Sequence, residues 1–311
     1  MNTLARQLQH PTRTLLLLQR SRYCFNKRGV VQIPNTLFSS STTNNGNVGN
    51  DKLVKTTIEE ESAIAKLTLN YPPVNSLSLE MCQAISSALK TIESNYPKVH
   101  GLVINSSSPS VFCAGLHLNE LHNPDPKHLP AFWYSVQQVF IDLYSSRLAT
   151  IAAIEGHAPA AGCMLAMSCD YRIMKLPTNG KKSGKIGLNE TLLGLAAPPW
   201  MGKLMVRTIG NRKTEQSLAL GTLYSPNEAF LIGLVDEVVS SEQVVDRARE
   251  EAIKWASIHP QGRVASKLLT RKEHIDGLLA NRKEDTEMFC SMVQDPILQK
   301  NLSVYLESLK K

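Results

Sequence analysis

From Leu53 onward, short apolar runs alternate with longer stretches of helical periodicity, and this alternation confines the chain to an α/β architecture. Residues 53–57 and 63–69, rich in Val, Thr, Ile and Leu, read as strands joined by a hairpin turn at Glu59-Glu60-Glu61. After Pro72-Pro73, Ser76 or Ser78 is placed to cap a helix whose apolar positions are Leu79, Ala84, Ile85, Leu89 and Ile92. Gly101 to Ile104 has the continuous apolar character of a strand buried on both faces. Val111-Phe112-Cys113 reads as another short strand, and a long helix follows near 128–146. The pattern then repeats, with a strand at 149–154, a turn of small residues, a helix near 160–168 and a strand at 169–174. Beyond residue 196 the chain reads as mostly helical. Over 242–258, Val244, Val245, Ala248, Ala252, Trp255 and Ala256 share one face, whereas Asp246, Arg247, Arg249, Glu250, Glu251 and Lys254 take the other. The expected organisation is one α/β domain over 51–311 with a helical C-terminal part from about residue 197.

Charge narrows the partners. The net charge of +7 over 311 residues suggests nucleic acid until it is located. Arg6, Arg13, Arg20, Arg22, Lys27 and Arg28 all precede the first acid, Asp51, so residues 51–311 hold 28 basic against 27 acidic residues, a net +1. The first fifty residues, basic, acid-free and rich in Ser, Thr, Leu and Asn, have the composition of a mitochondrial transit peptide and connector, the plain alternative being a tail without an address; the expected location is the mitochondrial matrix. No apolar run nears the ~20 residues of a membrane span. Six cysteines without a CxxC pair argue against a disulfide scaffold or a zinc ribbon, and His117 and His122 lack a metal-ligand spacing, so no metal is expected.

Motifs for a dinucleotide cradle, a phosphate loop and a nucleophile elbow are missing. Three segments could carry chemistry. Phe112 to Leu118 runs from a strand into a loop of small residues, and Gly156 to Met164 passes through small residues into a helix. Backbone N–H groups at such turns are open to a ligand, and two converging donors form an oxyanion hole; close packing accounts equally for small residues there. In the third, Ile186 to Leu195, Glu190 stands among four leucines. An apolar setting raises a carboxyl pKa and makes a better base, while an acid at the start of a helix is also ordinary.

Four motifs in order, Asn75-Ser76-Leu77-Ser78-Leu79-Glu80, Ala114-Gly115-Leu116, Cys169-Asp170-Tyr171-Arg172-Ile173 and Ile186-Gly187-Leu188-Asn189-Glu190-Thr191, resemble the crotonase (enoyl-CoA hydratase/isomerase) superfamily, and within it the mitochondrial branch that isomerises enoyl-CoA. The likeness covers about residues 55–311. It implies an α/β spiral of repeated ββα units with a helical C-terminal part that trimerises. It also implies oxyanion N–H donors at Ala114 and Ala161, a catalytic Glu190, Asn189 beside the acyl chain, and a loop of Ala114, Gly115, Leu116, His117 and Leu118 lining the CoA thioester site.

In this superfamily hydration uses a second glutamate directly after the small-residue–Cys segment, and here that position is Met164. The resemblance therefore implies an isomerase that moves a 3-cis or 3-trans double bond to 2-trans in unsaturated fatty-acid oxidation. It asks for no cofactor, CoA being part of the substrate. Related activities are an acyl-CoA hydrolase or weak hydratase; outside catalysis stand an RNA-binding or inactive homologue, which the +1 of the folded part does not favour. The superfamily usually has Asp where His117 stands, which reads as structural, and Gly where Ala161 stands. Residues 176–185 look longer and more basic than usual, as a surface loop.

Overall fold

The computed structural model describes residues 52–177, 184–240 and 243–309. The expected leader at 1–50 and most of the basic loop at 176–185 lie outside them. Strand β1 (Val54–Glu59) turns through a 3-10 segment, Glu60–Ser62, into an antiparallel β2 (Ile64–Leu69). Helix α1 (Leu79–Asn95) follows, its first turn capped by the Ser78 hydroxyl, which accepts from the Met81 N–H at 3.2 Å. Next come β3 (Gly101–Ser106), the short α2 (Leu118–Leu121), α3 (Leu129–Ser145), β4 (Ala149–Ile154), β5 (Ala158–Pro159), α4 (Ala161–Met167), β6 (Tyr171–Lys175) and β7 (Ile186–Gly187). The rest comprises α5 (Pro199–Ile209), α6 (Asn211–Leu220), α7 (Pro226–Leu231), β8 (Glu237–Val239), α8 (Val244–Ala256), α9 (Pro260–Ala280), α10 (Arg282–Val293) and α11 (Pro296–Ser308).

The main sheet runs β1-β2-β3-β4-β6-β8, parallel from β2 onward, with Lys66, Val103, Ile151 and Tyr171 in register across four strands. Every residue of β3 and β4 is buried, because both faces of the sheet are covered. The two-residue period of a strand divides them. Val103, Ile151, Ala153 and Ile173 pack under α8, while Leu102, Ile104, Ala152, Ile154 and Met174 join the larger core with α1, α3 and α4. Ala248, Ala252 and Ala256, four apart, let α8 lie close to the sheet. A Cβ on Gly101 would stand 2.9 Å from the Ala252 carbonyl oxygen.

A thinner second layer holds the parallel contacts Leu77–Leu116 and Val111–His157 and the pairing of β5 with β7. The chain thus winds through repeated units of main strand, second-layer segment and helix: β2, Leu77, α1; β3, Val111 to Leu116, α3; β4, β5, α4; β6, β7, α5. This is the expected ββα spiral. Several details differ from expectation. Val111-Phe112-Cys113 makes one bridge rather than a strand, since at Gly156 the turn presses on Ser110 so tightly that a Cβ would lie 2.0 Å from its carbonyl. The strand expected from 169 begins at Tyr171, because Asp170 bonds back to Thr150 instead. The three-residue β8 in the C-terminal part was too short to show as a pattern. Glu251, assigned to the polar face of α8, is buried, and its carboxylate accepts from Arg247 (2.7 Å), Lys254 (2.9 Å) and Trp255 (2.8 Å).

One buried ionic cluster ties the C-terminal helices to the sheet. Asp170 accepts from Lys267 Nζ at 2.9 Å, Arg271 Nη2 at 2.8 Å and the Thr150 N–H at 2.8 Å. Burial opposes its charge, yet the two cations on α9 hold its carboxyl below the ordinary range. Burial, only partly offset by Asp170, pushes Lys267 down to about 8. An Asp170→Ala variant leaves the buried Lys267 and the half-buried Arg271 without their carboxylate, so its stability falls by about 3–5 kcal/mol, read as a lower urea midpoint at unchanged slope.

Candidate active site

The two small-residue turns meet. A Cβ on Gly162 would lie 2.0 Å from the Cys113 carbonyl oxygen, and one on Gly115, where φ is +93°, would lie 3.1 Å from the Ala160 Cβ. Here the glycines serve close packing, and the alanines beside them face a cavity. Ala160 has φ +51° and ψ −125°, a backbone state that costs a non-glycine residue strain. Its carbonyl accepts from Cys163 at 2.9 Å and Met164 at 3.1 Å, so it points into α4. A trans peptide sets the next N–H opposite to that carbonyl, which directs the Ala161 N–H out of the helix. No acceptor for it occurs among the described residues.

Ala114 is different. Its N–H, expected to be open, donates to the Val74 carbonyl at 3.0 Å. Asn75 holds that carbonyl in place: its Oδ1 accepts from the Tyr71 N–H at 2.7 Å, and its Nδ2 donates to Ser106 Oγ at 2.7 Å and the Phe112 carbonyl at 3.2 Å. A ligand oxygen at this point shares the Ala114 N–H with Val74.

Between the turns lies a cavity of about 560 Å³ lined by Ala114, Ala160, Ala161, Asn189 and Glu190. Glu190 opens a 3-10 turn (Glu190–Leu193), so it does begin a helical segment, and its side chain also faces the cavity. It carries the only carboxylate among the described lining residues. Its Oε2 is buried without a hydrogen-bond partner. Burial, slightly opposed by its own backbone N–H, pushes the carboxyl up to about 7. Burial first, and then the Glu190 charge, push the Cys163 thiol up, which sets the carboxylate near the first turn of α4. Met164 beside it is fully buried and adds no acid.

Leu116, His117, Leu118 and Asn189 line the cavity as expected, whereas Gly115 does not, being pressed against Ala160 instead. His117 Nδ1 accepts from the Asn119 N–H at 3.3 Å and caps α2, the structural role expected of it. Sequence reasoning missed Val74, Trp133, Met201, Phe289, Met292 and Tyr305, which also line the cavity. The side chains among them reach it from α3, α5, α10 and α11, and no local pattern announces that convergence. The described residues hold no group of His, Cys, Asp and Glu able to bind a metal and no helix long and apolar enough to cross a membrane.

A ββα spiral whose cavity holds a single glutamate, one of its oxygens buried, beside two small-residue turns defines a crotonase-type site. The enoyl-CoA hydratase/isomerase family model matches residues 59–311, and the chain belongs to that family. It is 41% identical over 261 residues to mouse "Enoyl-CoA delta isomerase 1, mitochondrial", covering 84% of this chain and 89% of the relative. The rat protein of the same name is 43% identical over 253 residues, covering 81% and 86%. The crystal structure of human mitochondrial delta3-delta2-enoyl-CoA isomerase superposes with a TM-score of 0.80 at 37% identity, covering 83% of this chain and 98% of that one.

The perturbed carboxyl has a stability signature. Its folded value of about 7 lies above the unperturbed 4.5, so the native state keeps a proton that the unfolded chain releases, and stability falls as pH rises between those values. Glu190→Gln removes the cost. The variant is expected to exceed the wild type by roughly 3 kcal/mol at pH 8, and to match it below about pH 4, in urea unfolding followed across pH.

Proposed function

We propose that the protein shifts the double bond of 3-cis- or 3-trans-enoyl-CoA esters to the 2-trans position, with Glu190 as the one proton carrier. The observation that carries this reading is the lone, partly neutralised carboxylate of Glu190 in a cavity it shares with the Ala161 N–H. The relatives named as delta isomerases support it.

The Glu190 carboxylate takes a proton from C2 of the bound thioester, and the electron pair left behind spreads over C2, C4 and the thioester oxygen as a dienolate. The Ala161 N–H, joined by Ala114, donates to that oxygen; removal of one such donor costs ~3–4 kcal/mol in comparable sites. Glu190 then returns the proton to C4, the pair moves to C2–C3, and the carboxylate is regenerated. No water enters, and no cofactor is required. Asn189 and the loop of Leu116, His117 and Leu118 hold the thioester and acyl stem.

The reading places the protein in the mitochondrion, as the names of its relatives do, and in the matrix, as the acid-free composition of residues 1–50 supports. It includes a homotrimer formed through the C-terminal helices, supported by Leu269 and Met288, which stand 84% and 47% exposed on α9 and α10.

Supplied with 3-enoyl-CoA and 2-enoyl-CoA in parallel, the protein is expected to convert the first; consumption of the 2-enoyl ester alone refutes the isomerase reading. Glu190→Gln is expected to lose about 10²–10⁴ in kcat while still binding acyl-CoA. Because the base must be ionised, wild-type kcat/KM should rise with pH, levelling off above about 7, the value to which burial pushes the Glu190 carboxyl.

A further inference from the structure

Another buried carboxylate stands behind the lining of the same cavity. Asp285 of α10 is buried, and its Oδ2 accepts N–H groups from Trp133 at 2.8 Å, Gln137 at 2.7 Å and Trp200 at 3.2 Å. Held this way, the Trp133 indole lies flat against Phe289, with ring centroids 3.6 Å apart and planes 7° from parallel. Both rings are buried and both line the Glu190 cavity, together with the buried apolar side chains of Leu121, Leu195 and Met201. Trp200 and Asp285 line a different cavity, of about 680 Å³, bordered by α5, α9 and α10. One carboxylate oxygen thus bonds two indoles that line two separate cavities, and these indoles, with Phe289 stacked on Trp133, stand between them.

We propose that the Trp133–Phe289 stack is the end wall of the acyl pocket and sets the longest chain that the site accepts. This rests on the isomerase reading for the nature of the ligand, an unsaturated acyl thioester. Two stacked aromatic rings with a pinned N–H do not fold aside as a methionine does. A chain shorter than the pocket gains binding with each added methylene, roughly fourfold at a time. A longer one must leave its tail in water or displace the rings. Asp285 acts through Trp133 and is a positioning residue.

Trp133→Leu and Phe289→Leu each take one ring from the stack and leave an apolar side chain in its place; the second stands in should the first not fold. Both are to be compared with the wild type in kcat/KM for short and long 3-enoyl-CoA esters, and in Kd for saturated acyl-CoAs of the same lengths. The expected result is a rise of roughly fifteenfold in the long-to-short ratio, the gain from about two further buried methylenes, in both measurements. An unchanged ratio in a folded variant overturns the wall. A wild type that turns over no 3-enoyl ester, with variants whose Kd profile shifts to longer chains, keeps the wall and sinks the isomerase reading. A wild type that binds no acyl-CoA sinks both.

Discussion

The site depends on a contact in which no side chain fits. At Gly162 the first turn of α4 rests on the carbonyl of Cys113, and at Gly156 the turn after β4 rests on Ser110. These two approaches bring successive turns of the spiral to backbone distance. They bring Ala114 and Ala161 into the lining of one cavity, although 47 positions separate them in the chain. An oxyanion hole made of main-chain groups needs such a frame, because backbone donors are aimed only by the path of the chain. The positive φ of Ala160 completes the aim, by turning its carbonyl into the helix and the next N–H away from it.

The chain buries carboxylates by contrasting strategies. Asp170 is surrounded by Lys267, Arg271 and the Thr150 N–H, so it remains ionised and ties α9 to β4 and β6. Glu190 faces leucines and a cavity, with one oxygen left without a partner. The first arrangement serves stability. The second costs stability and leaves a carboxyl whose proton affinity burial raises to about 7, the property that the proposed proton carrier needs. A cation beside Glu190 would lower its pKa and leave the base too weak for a C2 proton.

Where a signal was local, the sequence was legible. The two-residue and 3.6-residue periods gave away β3, β4, α1 and α8 with boundaries close to those observed, and residue type narrowed the cap of α1 to Ser76 or Ser78, of which the structure uses Ser78. Glu190 was noticed as an acid among leucines, but an acid at the start of a helix is equally ordinary, and only the resemblance singled it out. Other features had no local signal. The Val74 carbonyl that occupies the Ala114 N–H is backbone, invisible to any reading of side chains. Asn75, which holds it, looks like an ordinary loop residue until Tyr71, Ser106 and Phe112 converge on it. Glu251 had the polarity of an outward position and is buried because Arg247, Lys254 and Trp255 close over it.

Chemistry and shape come from different parts of the chain. Glu190 and the N–H groups of Ala114 and Ala161 belong to the spiral and its turns, fixed by backbone packing that tolerates little change. The apolar end of the cavity is supplied by α3, α5, α10 and α11, through side chains such as Trp133, Met201 and Phe289. Substitutions there alter volume without touching the reacting carbons, whereas a substitution at Gly162 moves the donors themselves. The reaction type and the choice of substrate can therefore diverge independently within one fold. This is also why four short motifs suffice to read the chemistry, while the length of the acyl chain has to be read from the packing of helices far apart in sequence.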